Sequence, residues 1–133
     1  MKSNKVTIYS LLFMFAMLCL LFIPAIVKGQ AIESTPTEIL QSPDNYDGKM
    51  VQVEGKVIGP NFKRFKQGYA YTTFKVTDSQ NNAISVFSFG MLPIEQDDTV
   101  KVMGRFQKVL QLRPRYTSYN EIDASEGSVE KIK

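Results

Sequence analysis

From Lys49 onward, apolar and polar residues alternate with period two. Val51, Val53, Gly55 and Val57 share one side of an extended chain, with Gln52, Glu54 and Lys56 on the other. That is the pattern of a strand with one buried face. A second run, Tyr69 to Asp78, is rich in aromatic and β-branched residues, and the turn chemistry of Asp78 to Asn82 leads into a third strand over Ala83 to Phe89. After a connection through Gly90 and Pro93, Thr99 to Phe106 alternates again, and a last strand is expected over Tyr116 to Ile122. Five strands with short connections and no long amphipathic helix predict an all-β fold, a small five-stranded barrel. Gly55 and Gly104 fall on the valine face of their strands. A glycine there marks a bend or bulge, as closing a small barrel requires.

Upstream the periodicity changes. Thr35 can cap a helix, Pro36 suits its first position and Glu38 stands three residues after the cap. Pro43 and the Asp44-Asn45 pair end that helix early, and Asp47-Gly48 turns the chain into the first strand. Further back, Lys2 and Lys5 precede an uncharged apolar run from Val6 to Val27. A helix of that length reaches roughly 33 Å, enough for a bilayer core of about 30 Å. Positive residues before the run place the N-terminus inside and the domain outside the cytoplasm. Gly29-Gln30-Ala31 offers small residues at the −3 and −1 positions of a signal-peptidase site. Membrane anchor and cleaved signal peptide both stay open. The expected organisation is therefore 1–31 signal or anchor, 32–47 linker and short helix, 48–124 barrel and 125–133 tail.

Charge changes the picture once it is split along the chain. The net charge of +3 comes entirely from Lys2, Lys5 and Lys28; beyond residue 31, thirteen cations face thirteen acids. A basic total is therefore no argument for nucleic acid, and only local clusters could be. The chain has no His, and its single Cys, Cys19, lies inside the apolar run. A Ser-His-Asp triad, a His or Cys zinc site, a redox pair and an internal disulfide are all excluded. No Asp, Glu, Lys or Tyr motif of an enzyme is visible, no metal or cofactor is expected, and a non-enzymatic protein is the expectation. Asp97-Asp98 reads as a turn with exposed carboxylates, Asn81-Asn82 as a hairpin turn, and Met14, Met17, Met50, Met91 and Met103 as core or membrane packing, not a metal box. Glu121 and Asp123 could share a strand face, but no further ligand accompanies them.

Three segments carry a resemblance. Tyr46-Asp47-Gly48-Lys49-Met50-Val51-Gln52-Val53-Glu54-Gly55-Lys56-Val57, then Phe74-Lys75-Val76-Thr77-Asp78, then Val100-Lys101-Val102-Met103-Gly104-Arg105-Phe106 resemble OB-fold domains of the tRNA-anticodon-binding-like type, over roughly residues 34–124. More narrowly, Phe74-x-Val76-Thr77-Asp78, Ile84-x-Val86, Gly90-Met91-Leu92-Pro93 and Val100-x-Val102-x-Gly104 are similar to the periplasmic haem chaperone of cytochrome c maturation. That resemblance implies a membrane anchor followed by an exported OB barrel. The family's covalent haem attachment through a His, or a Cys in some relatives, has no counterpart here. The corresponding stretch, Asn120-Glu121-Ile122-Asp123-Ala124-Ser125-Glu126-Gly127, holds neither.

OB barrels bind on the face of their second and third strands, between the first-to-second and fourth-to-fifth loops. The first of these loops is expected to hold Lys63, Arg64, Phe65 and Lys66, followed by Tyr69 and Tyr71 as one exposed aromatic row. The second is expected to hold Lys108, Arg113, Arg115 and Tyr116, in a stretch, 99–116, without any acid. Cations interleaved with aromatic rings can neutralise phosphates and stack bases. The alternative reading of the same residues is solvated loop charges and barrel-closing aromatics. The expected function is an exported or membrane-anchored OB-fold binding module. Its expected partner is a polyanion (single-stranded nucleic acid or acidic glycan) or an envelope protein. A haem-handling assembly factor, with Tyr116 or Tyr119 as axial ligand, is the alternative.

Overall fold

The period-two valines do close a barrel. The computed structural model describes residues 30–112 and 116–133; the expected signal or anchor, with its Val6–Val27 run, lies outside the described residues. Six strands and a short helix follow one another: β1 (Ile32–Glu33), α1 (Pro36–Gln41), a 3-10 turn (Pro43–Asn45), β2 (Met50–Arg64), β3 (Ala70–Thr77), β4 (Ala83–Phe89), β5 (Thr99–Leu112) and β6 (Tyr116–Lys131). The sheet order is β1-β2-β3-β4-β6-β5, and β2 also pairs with β5, which closes the ring. All neighbours in the ring are antiparallel except β4 and β6. β1 adds a sixth strand, parallel to β2 at Val51 and Gln52.

The core holds the valines of the alternating runs (Val51, Val53, Val57, Val100 and Val102) together with Val76, Val86, Phe74, Phe106 and Ile122. α1 forms as its sequence dictates: the Thr35 side chain accepts from the Glu38 amide at 3.1 Å, and Pro36 takes the first turn. The helix places Ile39, fully buried, against the barrel core. Asp78 fixes it there. Its carboxylate accepts from the Thr37 amide at 2.8 Å and from the Thr37 hydroxyl, as well as from the amides of Gln80 and Asn82. One acid thus ties the helix to the β3–β4 turn, where Asn81 adopts the left-handed φ of 62°.

Both in-strand glycines sit at crossings. At Gly55, where β2 passes from pairing β5 to pairing β3, a Cβ would strike the Thr77 carbonyl. At Gly104 the β5–β6 register shifts, and a Cβ would meet Asp123 and Ile122.

Three boundaries differ from the expectation. β2 continues to Arg64 because a register shift between Ile58 and Asn61, with Gly59 at φ 59°, breaks the alternation without ending the strand. β5 likewise continues to Leu112. The segment expected as a tail from 125 is instead the end of β6: Ser128, Val129, Glu130 and Lys131 pair with Met103, Val102, Lys101 and Val100. Backbone pairing, with Val129 alone packed against the core, holds this polar stretch. Met91, expected in the core, is 55% exposed, because the Gly90–Asp98 connection crosses the barrel mouth and buries Ile94 there instead. Asp97 and Asp98 lie in the expected turn, but only Asp97 has the expected exposed carboxylate: Asp98 is half-buried, accepting from the Glu95 amide at 2.8 Å and facing Lys131 at 3.4 Å. Among the described residues no helix is long and apolar enough to cross a membrane.

Candidate ligand face on strands β3, β4 and β6

Along β4, Ile84, Val86 and Ser88 point into the barrel, so Ser85, Phe87 and Phe89 take the outer side. Register continues that side across the sheet. Lys75, Ser85 and Glu121 stand abreast on β3, β4 and β6; Thr73, Phe87 and Asp123 form the next row; Tyr71 and Phe89 the one after. Phe87 is on the outer side yet 0% exposed. Rings cover it: Tyr116 at 5.0 Å, Phe89 edge-on at 5.2 Å and Tyr71 stacked at 5.6 Å between centroids. Phe65 from the β2–β3 hairpin stacks on Tyr71 at 4.3 Å, and Tyr116 meets Tyr71 edge-on at 6.0 Å. Five rings thus form one contiguous aromatic cluster on the outer face. Each such pair contributes about 0.5–1.5 kcal/mol beyond the area it buries.

Beside the cluster lies a cavity of about 450 Å³ between β2 and β6, lined by Asn61, Thr73, Lys75, Ser85, Tyr116 and Glu121, among others. Glu121 is 1% exposed, and its two oxygens accept from the Tyr116 hydroxyl at 2.7 and 2.9 Å. Burial pushes the Glu121 carboxyl above its ordinary value of 4.5, against the pull of hydrogen bonds from Ser118 and Tyr116. Burial and the adjoining Glu121 push the Tyr116 phenol upward too. No group of three or more Cys, Asp or Glu that could hold a metal ion occurs among the described residues.

The expected site residues are distributed unevenly. Lys63 and Arg64 are the last residues of β2, opposite Tyr71 and Ala70, and not loop residues. Phe65 and Lys66 start a tight turn closed by the Phe65 amide on the Tyr69 carbonyl (2.9 Å) and the Gly68 amide on the Phe65 carbonyl (2.8 Å). Arg64 braces that turn, donating to the Gly68 carbonyl at 3.1 Å. Tyr69 and Tyr71 do not form one exposed row: Tyr69 is 71% exposed, whereas Tyr71 is half-buried under Phe65. Lys108 is drawn away to Asp44 at 2.6 Å. Tyr116 belongs to the cluster, while Arg113 and Arg115 lie outside the described residues. Sequence reasoning missed Phe87, Phe89 and Lys75, and weighed Glu121 only as a partner of Asp123. The visible signal was phase, since two phenylalanines occupy the outward, otherwise polar side of β4.

The CcmE domain family model matches residues 30–114. Among solved structures, the crystal structure of yeast Stn1 and Ten1 shares a TM-score of 0.57 at 14% identity, covering 79% of this chain and 64% of that one. A putative aspartyl-tRNA synthetase from Leishmania major Friedlin shares a TM-score of 0.50 at 17% identity, covering 82% of this chain and 21% of that one. The chain thus spans less than two thirds of either, and at these identities the likeness shows the fold. No curated protein matches the sequence.

Proposed function

The chain belongs to the CcmE domain family, and on that premise we propose that it is a non-enzymatic OB-fold binding module whose ligand is a polyanionic strand. The observation that carries this reading is the aromatic cluster on β3, β4 and β6, adjoining a hairpin that bears Lys63, Arg64 and Lys66. Exposed Tyr69 and Phe89 supply π-faces at its rim, and a stacked base contributes about 1–3 kcal/mol on such a face. Arg113 and Arg115, on the connection between β5 and β6, would add cations from the second loop. The absence of His and of any catalytic motif supports a binding role. Lys2 and Lys5 ahead of the Val6–Val27 run support placement outside the cytoplasm, as does family membership, with the run serving as anchor or cleaved signal.

The test is fluorescence anisotropy of the full-length chain in detergent with a labelled single-stranded oligonucleotide across a salt series. A polyanion binder weakens steeply as salt rises. Absence of binding at low salt removes this ligand class and leaves an envelope protein as the partner.

Family membership also favours a second reading, a haem-handling assembly factor. The family match ends at residue 114, before the stretch where the haem-binding residue would stand. Of the two phenols that could ligate iron, Tyr116 is committed to Glu121, whereas Tyr119 is 69% exposed. This reading requires a Soret shift on adding stoichiometric haem that Tyr119→Phe abolishes; an unshifted spectrum rejects it.

A further inference from the structure

A face meant for stacking should offer its central ring, yet Phe87 is completely covered. The ring that covers it from β6 belongs to an arm. β5 pairs with β2 only as far as Arg105, so Gln107 to Leu112 and Tyr116 to Glu121 pair with each other beyond the barrel wall. Asn120, at φ 51°, lies where this arm rejoins the barrel, one residue before β6 begins to pair with β4 at Glu121. Across this bend the Tyr116 hydroxyl bonds to Glu121, which also takes a hydrogen bond from Ser118, while on the other strand of the arm Lys108 bonds to Asp44 and, through its amide, to Asp47. The cavity beside Tyr116 leaves space into which the ring can turn.

Resting on the binding-module reading, we propose that this face is self-occluded: Tyr116, latched by its hydroxyl to Glu121, occupies the place where a planar group of the ligand stacks on Phe87, and ligand entry displaces it. Apparent affinity is then the intrinsic affinity reduced to the fraction of molecules with the latch open. A charged acceptor holds the hydroxyl about twice as strongly as a neutral one, so protonating Glu121 opens the face. The titratable groups around Glu121 are Tyr116 and Asp123 on its own strand and Lys75 on β3. β4 and β5 place uncharged Ser85 and Gln107 beside it.

The experiment compares the full-length chain with Tyr116→Phe and Glu121→Gln, using a fluorescein-labelled oligodeoxythymidylate and amide hydrogen exchange of the arm. Tyr116→Phe keeps the ring and removes the latch; it is expected to bind about five- to tenfold tighter and to exchange faster over residues 116–122. Glu121→Gln is expected to bind tighter and to lose the rise in affinity expected of the parent chain as pH falls through the raised folded pKa of Glu121. Equal or weaker binding by Tyr116→Phe overturns the latch, because a buried negative charge acting alone would respond to Glu121→Gln and not to the hydroxyl. If no form binds the probe, the polyanion reading fails, and exchange decides the latch by itself: unchanged arm exchange in Tyr116→Phe overturns it.

Discussion

Asp78 shows how much one side chain can organise. Burial raises its carboxyl, but the hydrogen bonds from Thr37, Asn82 and Gln80 outweigh this and hold it below the ordinary Asp value of 3.8. A depressed folded pKa gives stability that is fully present above the unfolded pKa and lost as pH falls through the folded one. Asp78→Asn is therefore expected to lower stability at pH 7 by about 1–2 kcal/mol. The difference should vanish in denaturant titrations carried out well below pH 3.8, where Asp78 of the parent is protonated. Glu121 runs the other way. Its folded pKa is raised, so the charged form costs stability as pH rises from 4.5 through the folded value. Glu121→Gln, which keeps an acceptor for Tyr116, is expected to melt no lower than the parent at pH 7; a clear drop in Tm would show that the charge itself is needed for packing.

At the scale of elements, β2, β5 and β6 are longer than a five-stranded barrel wall needs, and their extra lengths do different work. The outer end of β2 becomes the basic hairpin, and the outer end of β5 with the start of β6 becomes the arm carrying Tyr116. The far end of β6 closes the wall: it pairs with Val100 to Met103 and packs Val129 against the core. Gly127 permits the crossing, since a Cβ there would strike the Met103 carbonyl. Truncation after Ala124 is expected to remove this pairing and lower Tm by about 10–20 °C, on the order of 2–3 kcal/mol. Thermal denaturation followed by circular dichroism checks it. A melting curve unchanged by truncation would mean that the last strand only decorates the barrel.

For the whole molecule, the direction of β2 matters. β1 joins it at Val51 and Gln52, whereas the basic residues lie at Lys63 to Lys66. Twelve residues separate Gln52 from Arg64 along the strand, a contour of up to about 40 Å. Residue 30, where the described chain begins, therefore lies toward the end of β2 opposite the basic hairpin. Lys66→Glu is expected to weaken oligonucleotide binding and to lower the slope of log affinity against log salt by about one. Lys56→Glu, at the β1 end of the barrel, should change little. Arg64→Glu is expected to weaken binding in the same way while loosening the turn it braces. Equal effects at Lys66 and Lys56 would indicate diffuse electrostatics and no defined face.

The sequence by itself determined the barrel, the capped helix and the bends at Gly55 and Gly104. These are local matters: a two-residue period, a cap three residues from its amide, a strand position where a Cβ does not fit. It also singled out Phe65, Tyr71 and Tyr116 as candidates, and these three rings do meet. The tertiary structure decided which rings meet. Tyr71 and Phe87 come from consecutive strands and Tyr116 from a strand well beyond them, and only the β3–β4 and β4–β6 registers set the three side by side. Burial of Glu121 was likewise illegible, because a carboxylate on the outer side of a strand is ordinarily solvated. Here the arm of its own strand turns back at Asn120 and brings a tyrosine over it. The polar end of β6 escaped for the same reason: one buried valine sets no period, and hydrogen bonds between backbones carry no side-chain signature, so such a strand is decided by its partner.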